Sequence, residues 1–181
     1  MKKLATAAFA VFSLALAGAV AQPAQAQSFS TKDASHLVFN VGYYDVVQDD
    51  DTATSFGIEY RDGNSFLGIF KPMVASFVTT DGSFWLGAGV AVDFYLGENV
   101  VLTGSFAPGY YAEGDGKDLG YPLEFRSQLE LGYRFEDYSR LTVGINHLSN
   151  SGIFDDDGNP GTEVVTVNYY LPLGNLMSMM D

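Results

Sequence analysis

The sequence predicts an all-β fold, an eight-stranded antiparallel transmembrane β-barrel, on three observations. Runs of about ten residues alternate apolar and polar side chains between clusters of Gly, Asp and Asn, the period of half-buried strands. Most connections between the runs alternate between short turns and longer acidic loops, as in outer-membrane barrels with an even strand count. Past its amino-terminal leader the chain has no apolar run of the roughly 18 residues that a spanning helix needs. Any crossing of a membrane therefore falls to strands.

The leader comes first. Lys2 and Lys3 precede an apolar stretch from Leu4 to about Ala21, and Ala24-Gln25-Ala26 offers a small-residue cleavage site. Residues 1–26 read as a secretory signal peptide and 27–181 as one barrel domain. The stretch is short, Ala-rich and cleavable, which argues against a retained anchor. Without cysteine, neither a disulfide framework nor thiol chemistry is available. Removing the leader moves the formal charge from -13 to -15, with seven basic residues against 22 acidic. That excludes nucleic acid as a partner, because its recognition needs clustered Lys and Arg.

The runs fall at about 36–47, 53–62, 65–79, 83–96, 99–111, 123–136, 139–149 and 162–173. In the second, Phe56, Ile58 and Tyr60 oppose Gly57, Glu59 and Arg61. Lys71-Pro72 interrupts the third, and a bulge or register change is expected there because proline donates no ladder hydrogen bond. The fourth sets Phe84, Leu86, Val90, Phe94 and Leu96 against Trp85, Gly87, Gly89, Asp93 and Tyr95. The sixth is the clearest: Leu123, Phe125, Leu129, Leu131 and Phe135 alternate with Glu124, Arg126, Gln128, Glu130 and Arg134. Short turns are read at Asp62-Gly63-Asn64, Gly97-Glu98-Asn99 and Asp137-Tyr138, and a tight one at Thr80-Asp81-Gly82. The longer loops lie around Asp49–Asp51, 112–121 and 150–161.

A soluble β-sandwich would bury the apolar face and expose the other. The exported address, the even count and the paired charges on the less apolar face favour the barrel instead. There the apolar face meets lipid, and Glu59, Arg61, Asp93, Glu124, Arg126, Glu130 and Arg134 fill the interior. Eight strands leave no channel, only room for side chains.

The seventh and eighth runs carry the chemistry. Leu141, Val143 and Ile145 share one face, and that face continues directly into His147 and Ser149. In the last run Glu163 aligns with Val165, Val167, Tyr169 and Leu171. Groups suited to hydrolysis thus fall on the lipid-facing side of two neighbouring strands, beside the 150–161 loop. With the amino terminus in the periplasm, the strand count places that loop outside the cell. A serine hydroxyl is a poor nucleophile until a base takes its proton, and His147 is the nearby residue suited to that. Two strand residues apart is about 6.6 Å, a gap an imidazole can span. Glu163 could hold the histidine tautomer and stabilise the imidazolium. Polar side chains at an interfacial girdle are the bland alternative.

These residues also carry a resemblance. "HLSNSG" followed by "NPGTE" resembles the lipid A 3-O-deacylase (PagL-type) outer-membrane family. The stretches "LGYPLEFRSQLELGYRF", "DGSFWLGAGVAVDF" and "GIEYR" look like that family too, so the likeness covers most of the mature chain. The resemblance implies an outer-membrane esterase that removes the 3-hydroxyacyl chain at position 3 of lipid A, without metal or cofactor. Carried over by motif, Ser149 would be the nucleophile, His147 the base and Glu163 the orienting acid. Asn150, Gly152 and Asn159 match the segment associated with the oxyanion hole. Lipopolysaccharide and the outer membrane are the implied partners, and a homodimer is left open. Asp155-Asp156-Asp157 makes the loop more acidic than the family pattern, and the tail 174–181 replaces the usual terminal aromatic. Two rival readings are a non-enzymatic barrel serving integrity or adhesion, and an esterase acting on phospholipid.

Overall fold

The computed structural model describes residues 27–29, 33–49, 51–153 and 159–174. The predicted signal peptide, Asp155–Asp157 and nearly all of the tail lie outside these residues.

The strands are β1 (Gln27–Phe29), β2 (His36–Tyr44), β3 (Ala53–Arg61), β4 (Lys71–Thr79), β5 (Phe84–Leu96), β6 (Val100–Ala112), β7 (Leu123–Arg134), β8 (Arg140–Ser149) and β9 (Thr162–Pro172). Strands β2 to β9 pair antiparallel with their neighbours in sequence, and β2 pairs with β9. Eight strands therefore close into a barrel with no free edge among them, as the sequence predicts. At nine to 13 residues each, they are long enough to cross a hydrocarbon core with the usual tilt. Closure matters because a backbone group left unpaired in lipid costs several kcal/mol.

The sequence reading needs several corrections. The third run is a strand only from Lys71; Phe66 and Phe70 instead form an isolated bridge, with Phe66 N–H to Phe70 O at 2.8 Å. The β3–β4 connection is thus longer than the short turn expected at Asp62-Gly63-Asn64. No bulge forms at Pro72: the β3–β4 and β4–β5 registers run without a slip. The late start of β4 leaves the end of β5 without a partner on that side. The short strand β1, which has no alternation to reveal it, pairs there with Phe94–Leu96. Finally, β2 stops at Tyr44, where Asp45 takes a left-handed φ of 58°.

Burial alternates along the barrel strands, except where Asp93, Phe94 and Tyr95 are all buried near the end of β5, and it is inverted relative to a soluble protein. Phe39, Val41, Ile58, Val74, Val143 and Val167 are about half exposed on the outside. Inside, Arg140 reaches Asp33 and Asp93, and Lys71 Nζ lies 2.9 Å from Asp93 and 3.5 Å from Asp33. Higher in the barrel, Arg61 bridges Glu59 and Glu130 at 2.7 Å each, and Arg126 meets Glu59 at 2.8 Å. Thr142, Asn168 and Tyr170 donate to the other oxygen of Glu130. Buried charges are tolerated only when paired and hydrogen-bonded, and these are. Arg134 departs from the expected filling: it sits at the turn end, its guanidinium over Tyr95 and bonded to Glu98 O. Toward the loop end the filling turns apolar, with Tyr44, Phe77, Trp85, Leu119 and Leu148 packed together.

Candidate active site

At the loop end, β8 and β9 pair so that His147 stands directly opposite Glu163. Below them on the same face, Ile145 pairs with Val165, Val143 with Val167 and Leu141 with Tyr169. A polar pair therefore caps an apolar column. His147 Nδ1 lies 3.0 Å from Glu163 Oε1, and both side chains are partly exposed. A carboxylate only accepts, so the ring donates from Nδ1, which leaves Nε2 with its lone pair.

Ser149 lies two residues further along the same face, opposite Phe125 of β7. Its Oγ accepts a hydrogen bond from the Ser151 N–H at 3.0 Å. The structure brings His147 and Glu163 into contact but does not close a hydrogen bond between Ser149 and His147. Catalytic hydrogen bonds are often long before substrate binds. Ser127 stands beside His147, and Phe106 and Phe125 stack at 5.9 Å. Small and flat apolar groups thus flank the polar ones.

Two tight turns bracket the site. After Ser149, Ser151 and Gly152 take left-handed φ values of 60° and 67°. Asn150 Oδ1 accepts the Gly152 N–H at 2.8 Å, an Asx turn that ends the strand sharply. Before Glu163, Asn159 Oδ1 accepts the Gly161 N–H at 2.7 Å, and Gly161 has φ 65°. A Cβ on Gly161 would sit 2.8 Å from His147 Cε1. The glycine therefore allows both the turn and the imidazole behind it.

The two asparagines point inward. Asn159 Nδ2 donates to Leu119 O and to Glu124 Oε1, both at 2.7 Å, and Asn150 Nδ2 donates to Glu124 Oε1 at 3.1 Å. Asn150 is fully buried. Of the sequence-derived site residues, His147, Ser149 and Glu163 share the outer face, whereas Asn150 and Asn159 fasten the loop from within. A second tie comes from the loop after β2. Asp45 accepts hydrogen bonds from Lys117 and, at 3.1 Å, from Thr162 Oγ1, while Gln48 Nε2 donates to Pro160 O at 3.0 Å. Burial pushes the Asp45 carboxyl up, but Lys117 and the Asp51 N–H outweigh it and hold it below its ordinary value. Sequence reading missed Asp45, Gln48 and Lys117, because their partners lie far away in the chain. Among the described residues, no group of three or more metal-ligating side chains converges.

A closed eight-stranded barrel with a lipid-facing belt, and an outward polar cluster capping that belt, defines an integral outer-membrane barrel. A family model described as lipid A 3-O-deacylase (PagL) matches residues 42–172, and the chain belongs to that family of ester hydrolases. It is 25% identical over 179 residues to lipid A deacylase PagL of Bordetella bronchiseptica, covering 89% of this chain and 92% of that one. The crystal structure of the outer membrane enzyme PagL superposes with a TM-score of 0.60 at 17% identity, covering 76% of this chain and 99% of that one. A de novo designed transmembrane β-barrel superposes at 0.54 with 12% identity, over 78% and 99% of the two chains. The two structural superpositions show the fold alone.

Proposed function

We propose that the mature chain, residues 27–181, is exported by way of the 1–26 leader and acts as a serine esterase of the outer membrane. It removes the ester-linked 3-hydroxyacyl chain at position 3 of lipid A in lipopolysaccharide. One observation carries the reading: the His147–Glu163 contact of 3.0 Å on the lipid-facing surface, with Ser149 next along the same face. A soluble hydrolase would bury such groups in a water-filled cleft. Here they stand at membrane depth, so an acyl ester reaches the nucleophile without leaving its leaflet.

In this reading His147 Nε2 takes the Ser149 hydroxyl proton as Oγ attacks the ester carbonyl. Glu163, bonded at Nδ1, keeps the tautomer and stabilises the imidazolium. The tetrahedral intermediate collapses with cleavage of the bond to the sugar oxygen, which takes the proton from Nε2. Water, deprotonated by the same nitrogen, then releases the fatty acid from Ser149. Backbone N–H groups at the turn after Ser149 are the nearest candidates to receive the developing oxyanion, a contribution of about 3 kcal/mol for a well-aimed donor. The stacked Phe106 and Phe125 offer an apolar surface to the acyl chain beside Ser149.

Mass spectrometry of lipid A tests this. The parent protein is expected to remove one 3-hydroxyacyl chain, and Ser149→Ala and His147→Ala to remove none while keeping the heat-modifiable mobility of a folded barrel. Glu163→Gln, which holds the ring in place but accepts poorly from an imidazolium, is expected to slow turnover by about a thousandfold or more. Wild-type turnover in Glu163→Gln would remove the acid from the mechanism.

A further inference from the structure

Glu124 is anomalous among the carboxylates inside this barrel. Asp33, Glu59, Asp93 and Glu130 each meet an Arg or Lys within the barrel, and Asp45 meets Lys117. Glu124 is completely buried, yet among the described residues it forms no ion pair and its Oε2 has no hydrogen-bond partner. Its neighbour Arg126 is committed to Glu59 and lies over the Trp85 ring, 4.8 Å from its centroid. A carboxylate placed only to fill space would be expected to carry a counter-charge. This one instead gives a single oxygen, Oε1, to two side-chain amides, Asn150 at 3.1 Å and Asn159 at 2.7 Å.

Those two amides stand on opposite ends of the β8–β9 loop. Asn150 directly follows Ser149, and its Oδ1 fixes the Gly152 N–H. Asn159 precedes Glu163 by four residues, and its Oδ1 fixes the Gly161 N–H, on the glycine that backs the His147 ring. One buried atom therefore ties down the stretch leaving Ser149 and the stretch entering Glu163. We propose that Glu124 is a positioning residue, which reaches through the barrel wall to set Ser149 and Glu163 against His147. It touches no substrate. The inference rests on the Ser149–His147–Glu163 reading and deepens it by assigning what aligns those groups. A misplacement of about 1 Å is enough to cost roughly a hundredfold in rate.

The test uses the mature full-length protein refolded in lipopolysaccharide-containing vesicles, with release of 3-hydroxy fatty acid as the readout. Glu124→Met fills the same space without an acceptor and is expected to lower kcat about a hundredfold, with KM within about twofold because the outer surface is untouched. Glu124→Gln keeps an accepting oxygen and is expected to recover to within about threefold of the parent, a rescue that loss of barrel integrity would not give. Asn159→Ala keeps Glu124 in place and serves as a second arm if Glu124→Met fails to fold; the same loss of kcat is expected. Parental kcat in a folded, heat-modifiable Glu124→Met or Asn159→Ala protein overturns the proposal. So does Glu124→Gln as slow as Glu124→Met. Ser149→Ala in the same assay separates the two levels. If it still releases fatty acid, the nucleophile assignment falls. If it is inactive while Glu124→Met is as fast as the parent, only the positioning role falls.

Discussion

Gly161 shows how closely the site is built at single residues. Its φ of 65° is left-handed, and a Cβ there would lie 2.8 Å from the His147 ring. Gly161→Ala thus meets two costs together, about 1–2 kcal/mol of backbone strain and a displaced imidazole. Turnover is expected to fall at least about tenfold while the protein still runs as a folded barrel. Unchanged kinetics would mean that the ring needs no support from this side. The face carrying His147 and Ser149 was legible in the sequence, because Leu141, Val143 and Ile145 set the parity and the strand continues it without a bulge. The role proposed for Glu124 was not. Parity says that it faces inward, but not that two loop amides, 26 and 35 residues away in sequence, converge on one of its oxygens.

Among the elements, the loops at the outer end are held by the Asp45–Lys117 pair and the strands by the interior charges. Interactions with Lys117 and the Asp51 N–H outweigh burial and hold the Asp45 carboxyl below its ordinary value of 3.8. A depressed folded value means the stabilisation is full above the unfolded pKa, near 3.9, and is lost as pH falls through the folded one. Amide exchange of residues 46–49, corrected for its intrinsic pH dependence, is therefore expected to show constant protection from pH 7 to about 4.5. Protection then falls below about pH 4, and Lys117→Met weakens it throughout. Loosening complete by pH 5 would contradict this. In the strands, Arg140 serves Asp33 and Asp93 together. Arg140→Met leaves Lys71 to balance both acids and is expected to cost about 3 kcal/mol in urea unfolding from vesicles. A change under about 0.5 kcal/mol would show the pair to be dispensable. Seven of the eight barrel strands were read from alternation almost to their ends. The eighth, β4, starts late because 65–70 spends its backbone bonds on the Phe66–Phe70 bridge, a local pairing that alternation does not reveal.

The molecule as a whole turns a soluble protein inside out: charges within the barrel, Glu124 apart, are paired, and the outer surface is apolar up to the level of His147. In the proposed function, that design lets the site sit on a strand face rather than in a cleft, because an acyl ester already lies at that depth in the membrane. A fold does not by itself fix chemistry, so the proposed mechanism rests on three side chains at one rim. The decisive measurement is mass spectrometry of lipid A after exposure to the parent and to Ser149→Ala. The expected result is loss of one 3-hydroxyacyl chain with the parent and an unchanged lipid with Ser149→Ala. The same acyl loss from both proteins would contradict it.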